Sequence, residues 1–456
     1  MNIVILGAAE SGVGAALLAQ AKGHAVFVSD RGTIQAGYRE KLARAGIEFE
    51  ENQHTLARVL AADEVIKSPG IPEKAPVIQS LREQKTPIIS EIEFAGRYTK
   101  AKCICITGTN GKTTTTLLTY HLLKEAGLKV GLGGNVGRSF AEQVIADEYD
   151  YYVLEISSFQ LDDTHEFRPW IAVLLNITPD HLDRYNYSLS EYAHAKLRIA
   201  RKQDSSGHFI YNADDENITR YFQAALRPVM KMPFGLERRP DLHLAGYYKA
   251  ATQLCVDLLP GYYSKTEIIS TAQSPLIGQH NRQNVLAAVL AARVAGVGIV
   301  QIEGALATFR NADHRLQSLG VVAGVEYIND SKATNVEAAW YALEGLKSQI
   351  VWIAGGTDKG NDYSPLVDLA RQKIRALVCL GVDNAKLRAA FEGVVPHVEE
   401  TQSMADAVRR AGALAQPGDV VLLSPCCASF DLFENYEDRG RQFAAAVQEL
   451  HPSESA

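Results

Sequence analysis

The chain has 456 residues, of which 46% are hydrophobic and 22% are charged, and its formal net charge is −7. This length predicts two to four domains, and the apolar content suffices for well-formed hydrophobic cores. An acidic chain does not favour binding to nucleic acid or to an anionic membrane surface, so we expect neither partner.

Two further features of the sequence concern the cellular compartment. The chain enters a short apolar strand directly after Met1, and its apolar runs are too short to cross a bilayer. This pattern predicts no signal peptide and no membrane insertion. The six cysteines are scattered without metal-ligand spacing, which is typical of reduced thiols, so we expect a cytoplasmic protein.

The first region is predicted to be a strand–helix–strand unit. A short strand ends at Gly7, a helix follows, and a second strand is followed by Asp30. An acid at this place is a feature of dinucleotide-binding folds, but the glycine pattern is only partly met because Ala9 stands where the middle glycine belongs. A plain α/β unit with glycine turns explains the segment equally well. The segment at 64–71 is predicted to be a strand that runs into a proline–glycine turn, and we expect this domain to span residues 1–93.

The central region contains the most informative segment, GTNGKTT at 108–114. It follows a short apolar strand and precedes apolar residues at helical spacing. A glycine loop at a helix N-terminus brings backbone N–H groups to phosphate oxygens, while Lys112 can reach a terminal phosphate and the Thr113 hydroxyl can hold Mg²⁺. Only Thr109 and Asn110 separate the glycines, whereas the usual nucleotide loop has four residues there. The segment is therefore a shortened relative of that loop, and an ordinary tight turn is the alternative.

Three polar side chains farther along are candidates for the same site. Strands alternating with helices predict a mostly parallel sheet, in which ligands gather at the carboxyl ends of the strands. Glu155 ends an apolar strand, and a buried carboxylate needs a partner, either a metal shared with the phosphate loop or a lysine. His181 lies between Asp180 and Asp183 just past the next strand. Lys196 lies on a predicted helix, and by position alone it is an ordinary helical lysine.

The last region is predicted to be a third α/β domain at 312–456, after a central domain at 94–311. Three polar loops each follow a predicted strand: NDSKATN at 329–335, GGTDKG at 355–360 and SPCCASFD at 424–431. Together they indicate a substrate-binding face. The modest alternative for Asp330 or Ser331 is a cap on the helix that follows.

Taken together, these segments resemble the Mur ligase family, the ATP-dependent amide-forming enzymes of peptidoglycan precursor synthesis. The resemblance covers nearly the whole chain, and its most specific segments are GTNGKTT at 108–114, LEISSFQL at 154–161, NITPDHLDRY at 176–185, HNRQN at 280–284, NDSKATN at 329–335 and SPCCASFDLFENYEDRG at 424–440. It implies an α/β fold of three domains: a Rossmann-like N-terminal domain for a UDP-sugar substrate, a central P-loop-type ATPase domain with a mostly parallel sheet, and a Rossmann-like C-terminal domain for the incoming amino acid. The SSFQL, NDSKATN and SPxxASFD segments are similar to those of members that join D-glutamate to UDP-N-acetylmuramoyl-L-alanine. These two small molecules are the implied substrates, and we expect a monomer.

The resemblance also implies roles for individual residues. Catalysis would involve Lys112, Glu155, His181 and Lys196. ATP would be bound by Gly108, Thr109, Asn110, Gly111, Lys112, Thr113, Thr114, Asn284, Arg315, Asp330 and Lys332. Two Mg²⁺ ions would be held by Thr113, Glu155, His181 and Lys196, the last as a carbamate formed with CO₂. The UDP-sugar would contact Ser11, Asp30, Ser68, Asn135 and Ser157, and D-glutamate would contact Thr334, Lys359, Ser429, the backbone at Phe430, and Tyr436.

Some positions depart from the family pattern. Tyr436 stands where the family often has phenylalanine, and Ala9 replaces a glycine. Arg31-Gly32 replaces the polar and basic pair expected after Asp30. The contacts to the uracil and the diphosphate are therefore less specified by the sequence than the ATP site.

Three other functions stay open on the sequence. One is another Mur-type or folylpolyglutamate-type amide ligase that uses a different amino acid. Another is a GTPase-like switch that binds a partner, but that class needs a base-reading Asn-Lys-x-Asp segment, which the sequence lacks. The third is a dinucleotide oxidoreductase built on the first domain. The missing middle glycine and the strong phosphate loop argue against it.

Overall fold

The computed structural model describes residues 1–222, 229–258, 266–276 and 278–450. In these residues the chain forms three sheets. The first two sheets belong to one compact unit, which consists of Met1–Pro275 and Gln283–Phe309. The third sheet belongs to a second unit, which consists of Leu276–Arg282 and the chain from Arg310 onward. The predicted α/β class with mostly parallel sheets is confirmed, and the domain boundaries near residues 93 and 311 stay predictions.

The first sheet confirms the predicted strand–helix–strand unit. Its parallel strands, in the order β3-β2-β1-β4-β5, are β1 (Asn2–Leu6), β2 (Ala25–Ser29), β3 (Glu48–Glu50), β4 (Glu64–Lys67) and β5 (Ile88–Ile89). Its helices are α1 (Glu10–Ala21), α2 (Ala36–Arg44), α3 (Leu56–Leu60), α4 (Pro76–Glu83) and α5 (Glu91–Gly96). The apolar residues from Ile3 to Leu6 are fully buried, as expected for a parallel strand covered on both faces.

The second sheet carries the phosphate loop. Its strands, in the order β14-β13-β12-β11-β10-β9-β6-β8-β7, are β6 (Lys102–Thr107), β7 (Val130–Gly134), β8 (Tyr151–Glu155), β9 (Ile171–Leu174), β10 (His208–Asn212), β11 (Met230–Phe234), β12 (Gly246–Ala250), β13 (Gln253–Val256) and β14 (Glu267–Ser270). Its helices are α6 (Lys112–Glu125), α7 (Phe140–Val144), α8 (Ser158–Asp162), α9 (Leu189–Leu197), α10 (Glu216–Phe222), α11 (Gln279–Val294) and α12 (Ile299–Thr308). The pairing is parallel from β7 to β12 and antiparallel in β12-β13-β14, an edge that the sequence did not predict.

The place of β6 in this sheet explains where the candidate residues meet. Strand β6 lies between β8 and β9 and runs parallel to both. The loops that follow these three strands therefore emerge at the same edge, the edge at which open α/β sheets bind ligands. They carry the glycine loop at 108–111, the residues after Glu155, and the segment at 176–184.

The third sheet has strands β15 (Gln317–Val322), β16 (Val325–Asn329), β17 (Ile350–Gly355), β18 (Ile374–Leu380), β19 (His397–Thr401) and β20 (Val420–Cys426), in the order β15-β16-β20-β17-β18-β19. Its helices are α13 (Val336–Gly345), α14 (Val367–Lys373), α15 (Ala385–Phe391), α16 (Met404–Leu414) and α17 (Tyr436–Gln448). Strands β15 and β16 are antiparallel, and the other pairs are parallel. Every residue of β17 and β20 is buried, and the Trp352 indole N–H donates to Ser424 O at 2.8 Å.

All six cysteines lie in the described residues, where each is buried and free. Within the described ranges, every helix is either too short or too polar to span a bilayer.

Candidate functional site

The glycine loop is built as an anion cradle at the N-terminus of α6. Gly111 precedes the helix with a φ of 80°, a left-handed conformation that favours glycine. A Cβ atom there would also lie 2.3 Å from Asn284 Oδ1, so a larger residue has no room. Both the backbone conformation and the close approach of Asn284 therefore require glycine at position 111. The family resemblance had assigned Asn284 to the same site.

A second loop is hydrogen-bonded to the glycine loop. The Asn110 N–H donates to Asn176 Oδ1 at 2.8 Å, and Asn176 Nδ2 donates to Asn110 O at 3.1 Å. The Thr178 N–H donates to Thr109 Oγ1 at 3.0 Å. These bonds fix the segment after β9, which carries His181, beside the phosphate loop.

Lys112 lies across its own loop. Its Nζ donates to Gly108 O at 2.9 Å and to Thr109 O at 2.7 Å. The ammonium is thus held at the open edge of the sheet together with the N-terminus of α6, and both favour an anion. This arrangement supports the prediction that the loop binds phosphate, and it disfavours an ordinary tight turn.

Glu155 is buried next to the first turn of α6. Its side chain is 2% exposed and accepts hydrogen bonds from Thr113 Oγ1 at 2.7 Å and from Asn135 Nδ2 at 3.0 Å. A carboxylate and a hydroxyl in contact are oxygen ligands of the kind that Mg²⁺ takes alongside phosphates. Within the described residues no group of three or more His, Cys, Asp or Glu side chains could hold a metal ion unaided. The contact between Thr113 and Glu155 fits a Mg²⁺ ion that is shared with a phosphate.

His181 lies at the start of a short 3₁₀ turn with a φ of 51°. Its ring stands edge-on to Phe159 at 5.3 Å between centroids, and its Nε2 is 3.6 Å from Asp180 Oδ2. The side chain is 44% exposed, so it is accessible to a ligand. Its role as a ligand of the second Mg²⁺ stays a prediction.

Lys196 is buried under the phosphate loop, which excludes the alternative of an ordinary helical lysine. The residue is 1% exposed, and its Nζ donates to Gly108 O at 2.8 Å. The same carbonyl accepts a hydrogen bond from Lys112, so two lysines share one acceptor. Burial and the nearby Lys112 charge hold the pKa of Lys196 well below its usual value. Tyr192 covers the ammonium at 4.4 Å from its ring centroid.

The residues predicted to contact the UDP-sugar line the carboxyl edges of the first two sheets. Asp30 accepts hydrogen bonds from the Ala8 N–H at 2.6 Å and the Gly32 N–H at 2.8 Å. A Cβ atom at Gly7 would lie 2.5 Å from Ser68 Oγ, so the backbone at Gly7 closely approaches the Ser68 side chain. Ser11 lies in the first turn of α1 and Asn135 holds Glu155, whereas Ser157 caps α8 together with Gln160.

In the second unit, the three polar loops follow β16, β17 and β20. Asp330 accepts hydrogen bonds from Ser424 Oγ at 2.9 Å and the Leu316 N–H at 3.2 Å, and burial raises its pKa to about 7. Neither Asp330 nor Ser331 caps α13, because the N-cap is Asn335, whose side chain accepts from the Ala338 N–H. Asp330 is therefore buried for another reason than helix capping.

The remaining predicted residues of this unit differ in exposure. Lys332 Nζ lies 5.1 Å from the centroid of the Tyr436 ring, and the packing of Tyr436 beside D-glutamate stays a prediction. Ser429 is buried, whereas Lys359 is exposed and Phe430 is 71% exposed. The other two residues assigned to ATP and D-glutamate in this unit are Arg315 and Thr334, both partly buried. That these side chains bind substrates stays a prediction.

Arg439 joins these loops, although it was assigned no role from the sequence within the segment at 424–440. It is 1% exposed and donates to Ser331 O at 2.9 Å, Ser331 Oγ at 3.0 Å, Cys427 O at 3.2 Å and Gly355 O at 3.5 Å. Burial lowers its pKa to about 10. One guanidinium thus joins all three loops, which makes Arg439 a positioning residue for the polar face.

We expect Arg439→Met to lower the free energy of unfolding by about 1–3 kcal/mol, because it leaves buried carbonyls without donors. The measurement is the urea unfolding midpoint. Arg441→Met is the matched control on the same helix, since its side chain is 61% exposed and pairs only loosely with Asp438. Equal midpoints for the two variants would show that Arg439 does not hold the loops.

Three family profiles match the chain. The Mur ligase middle domain matches residues 106–292, and the Mur ligase glutamate ligase domain matches residues 314–427. The MurD N-terminal domain matches residues 2–77. The matches fall on all three sheets.

Curated relatives are similar over the full length. The chain is 51% identical over 450 residues to the UDP-N-acetylmuramoylalanine–D-glutamate ligase of Porphyromonas gingivalis, covering 98% of this chain and 99% of the relative. It is 50% identical over 460 residues to the protein of that name from Bacteroides fragilis, covering 98% and 100%. It is 47% identical over 449 residues to that from Christiangramia forsetii, covering 98% and 99%.

Solved structures share the fold. A UDP-N-acetylmuramate–alanine ligase, MurC, from Thermotoga maritima matches with a TM-score of 0.62 and 19% identity, covering 98% of this chain and 99% of that one. A MurF ligase from Thermotoga maritima in complex with ADP matches with a TM-score of 0.58 and 14% identity, covering 94% and 97%. At these identities the likeness concerns the fold alone.

Proposed function

The chain belongs to the Mur ligase family, and we propose that it joins D-glutamate to UDP-N-acetylmuramoyl-L-alanine in peptidoglycan precursor synthesis, converting ATP to ADP and phosphate. The observation that carries the proposal is identity of about one half, over the full length, to relatives that bear this activity in their name. The phosphate loop with its buried Glu155 and Lys196 is the site that would perform the first step.

The reaction requires an activated carboxyl group. An amine cannot displace oxide from a carboxylate, because oxide is too poor a leaving group. Transfer of the γ-phosphoryl group of ATP to the carboxylate of the nucleotide substrate gives an acyl phosphate, and the amine of D-glutamate then attacks its carbonyl carbon. The tetrahedral intermediate collapses to the amide and phosphate. Fixed cationic groups speed the first step by stabilising charge on the transferred group.

The residues of the first unit suit this phosphoryl transfer. The N-terminus of α6 and Lys112 would hold the terminal phosphates, and Asn284 would orient the nucleotide against Gly111. Thr113 and Glu155 would hold one Mg²⁺, which supplies neutralisation of phosphate charge when bound. His181 and a carbamylated Lys196 would hold the second ion, a role supported by the position of Lys196 at Gly108.

The residues of the second unit suit the amino acid and the nucleotide. Thr334, Lys359, Ser429 and the backbone at Phe430 would bind the carboxylates of D-glutamate, with Tyr436 packed beside it. Arg315, Asp330 and Lys332 would contact ATP. The alternative, a Mur-type or folylpolyglutamate-type ligase that uses another amino acid, would differ in the contacts to that amino acid.

The test is release of phosphate from ATP that depends on both UDP-N-acetylmuramoyl-L-alanine and an added amino acid. We expect release with D-glutamate and none with L-glutamate, L-lysine or meso-diaminopimelate. Faster phosphate release with one of those amino acids than with D-glutamate would identify that amino acid as the substrate instead. Release without any acceptor, or only in response to a protein partner, would instead support a nucleotide-dependent switch.

Location and assembly are part of the same proposal. Six buried, free cysteines accord with a reducing compartment, which supports the cytoplasm. We further propose that the protein acts as a monomer with small-molecule substrates. Sedimentation of the purified protein as a dimer at micromolar concentration would contradict the monomer.

A further inference from the structure

A histidine, a serine and a glutamate form a hydrogen-bonded chain in the first sheet. Ser29, the last residue of β2, is fully buried, and its Oγ donates to Glu50 Oε1 at 2.7 Å. The same Oγ is 2.7 Å from Nδ1 of His54, which lies in the loop between β3 and α3. None of the three residues had been assigned a role from the sequence.

The direction of these hydrogen bonds fixes the tautomer of His54. Burial alone would raise the pKa of Glu50, but the Thr55 hydroxyl and N–H, with Ser29, hold it below its usual value. An ionised carboxylate only accepts, so the one Ser29 proton is used on Glu50. Nδ1 of His54 must therefore donate to Ser29 Oγ. Burial also lowers the pKa of His54, so its ring is neutral at pH 7 and Nε2 carries a lone pair.

The position of His54 places this lone pair at the ligand-binding edge. The loops after β2 and β3 emerge at the carboxyl edge of the sheet, where parallel α/β sheets bind ligands. His54 is only partly buried, and in the described ranges its Nε2 has no hydrogen-bond partner. The neighbouring charged groups are Glu50, Asp30 and Arg31. Each Asp30 oxygen already accepts a backbone N–H.

We propose that His54 Nε2 accepts the hydrogen bond from N3–H of the uracil in the UDP-sugar, and so selects uridine over cytidine nucleotides. The inference rests on the proposed function, because it names a contact to that substrate. Uracil presents an N–H donor at N3, whereas cytosine presents a lone pair there, which a fixed acceptor rejects. The chain from Glu50 through Ser29 keeps the acceptor in place by preventing a proton from residing on Nε2.

The kinetic test is His54→Leu, which removes the acceptor and keeps an apolar side chain. We expect KM for UDP-N-acetylmuramoyl-L-alanine to rise about 10- to 100-fold, while kcat and KM for ATP stay unchanged. His24→Leu is the matched control. His24 precedes β2, the strand that ends at Ser29, and so lies at the opposite edge of the sheet. It hydrogen-bonds Tyr98 OH, so its loss should leave KM unchanged.

Binding of UDP, CDP, N3-methyl-UDP and 2′-deoxy-UDP isolates the contact. The parent protein should bind UDP more tightly than CDP and N3-methyl-UDP, and His54→Leu should bind all three alike. Loss of discrimination against 2′-deoxy-UDP alone would assign the acceptor to the ribose and overturn the uracil contact. Unchanged discrimination in His54→Leu would overturn the inference as well.

The tautomer can be measured without any substrate. In ¹⁵N NMR of the free protein at pH 7.5, His54 should carry its proton on Nδ1, and Ser29→Ala should shift the ring toward a mixture of tautomers. A proton on Nε2 in the parent protein would overturn the inference. If the parent shows the expected tautomer and prefers UDP to CDP but has no D-glutamate-dependent activity, the proposed function fails and the nucleotide contact stands.

Discussion

Lys112→Ala is expected to lower kcat/KM for ATP by about a hundredfold or more, the usual effect of removing a fixed charge from a site that stabilises a transferring group. The structure gives the reason for a selective effect. The Lys112 side chain is partly buried and donates to the carbonyls of Gly108 and Thr109 in its own loop. Its loss should therefore remove charge from the cradle and leave the free energy of unfolding nearly unchanged. Phosphate release at varied ATP, with UDP-N-acetylmuramoyl-L-alanine and D-glutamate saturating, measures kcat/KM for ATP. Urea unfolding measures the free energy of unfolding.

Lys124→Ala is the control for this variant. It lies in the last turn of the same helix, where its side chain is exposed and approaches the Tyr120 ring. It should keep parental turnover and parental stability. Parental turnover in Lys112→Ala would remove the phosphate loop from the proposed site, whereas loss of turnover together with unfolding would show that Lys112 holds the fold.

Local patterns predicted the fold class and the strand–loop–helix arrangement around 108–114 correctly because each depends on a short stretch of sequence. Runs of apolar residues such as Ile3 to Leu6 have to be buried, and glycine permits the left-handed conformation seen at Gly111 before α6. The antiparallel strands β12 to β14 were missed because their short segments carry mixed polar and apolar residues, and their pairing is set by the edge of the sheet rather than by their own pattern.

Contacts between distant segments could not be predicted in the same way. Arg439 stands in the charged stretch YEDRGRQ and looks solvent-exposed, yet it is buried because three loops after three separate strands supply its acceptors. His54 is half-buried in a polar loop, and its partners Ser29 and Glu50 end two different strands. No spacing rule connects such residues, because parallel strands bring the ends of distant segments together.

The buried position of Lys196 beside a second lysine also could not be predicted from the sequence, and it requires an explanation. Two ammonium groups, Lys112 and Lys196, donate to the single carbonyl of Gly108, and Lys196 is buried. Burial disfavours the charged form of Lys196 and the nearby Lys112 charge adds to this effect, so the pKa of Lys196 lies well below its usual value. A neutral amine can attack CO₂, forming an N–C bond and releasing one proton. The resulting carbamate is an anion, so it would replace repulsion of Lys112 by attraction.

We therefore expect Lys196→Ala to be nearly inactive, with kcat lowered about a hundredfold or more. Acetate or formate should restore part of the activity by supplying a carboxylate in the space that the side chain leaves. The control is Lys112→Ala, in which the same acids should restore nothing, because that site needs a cation. A ¹³C carbamate signal in the parent enzyme under ¹³CO₂, absent from Lys196→Ala, would identify the modified residue. Parental activity in Lys196→Ala, or equal rescue of both variants, would contradict the carbamate, because activity would then not depend on an anion at this position.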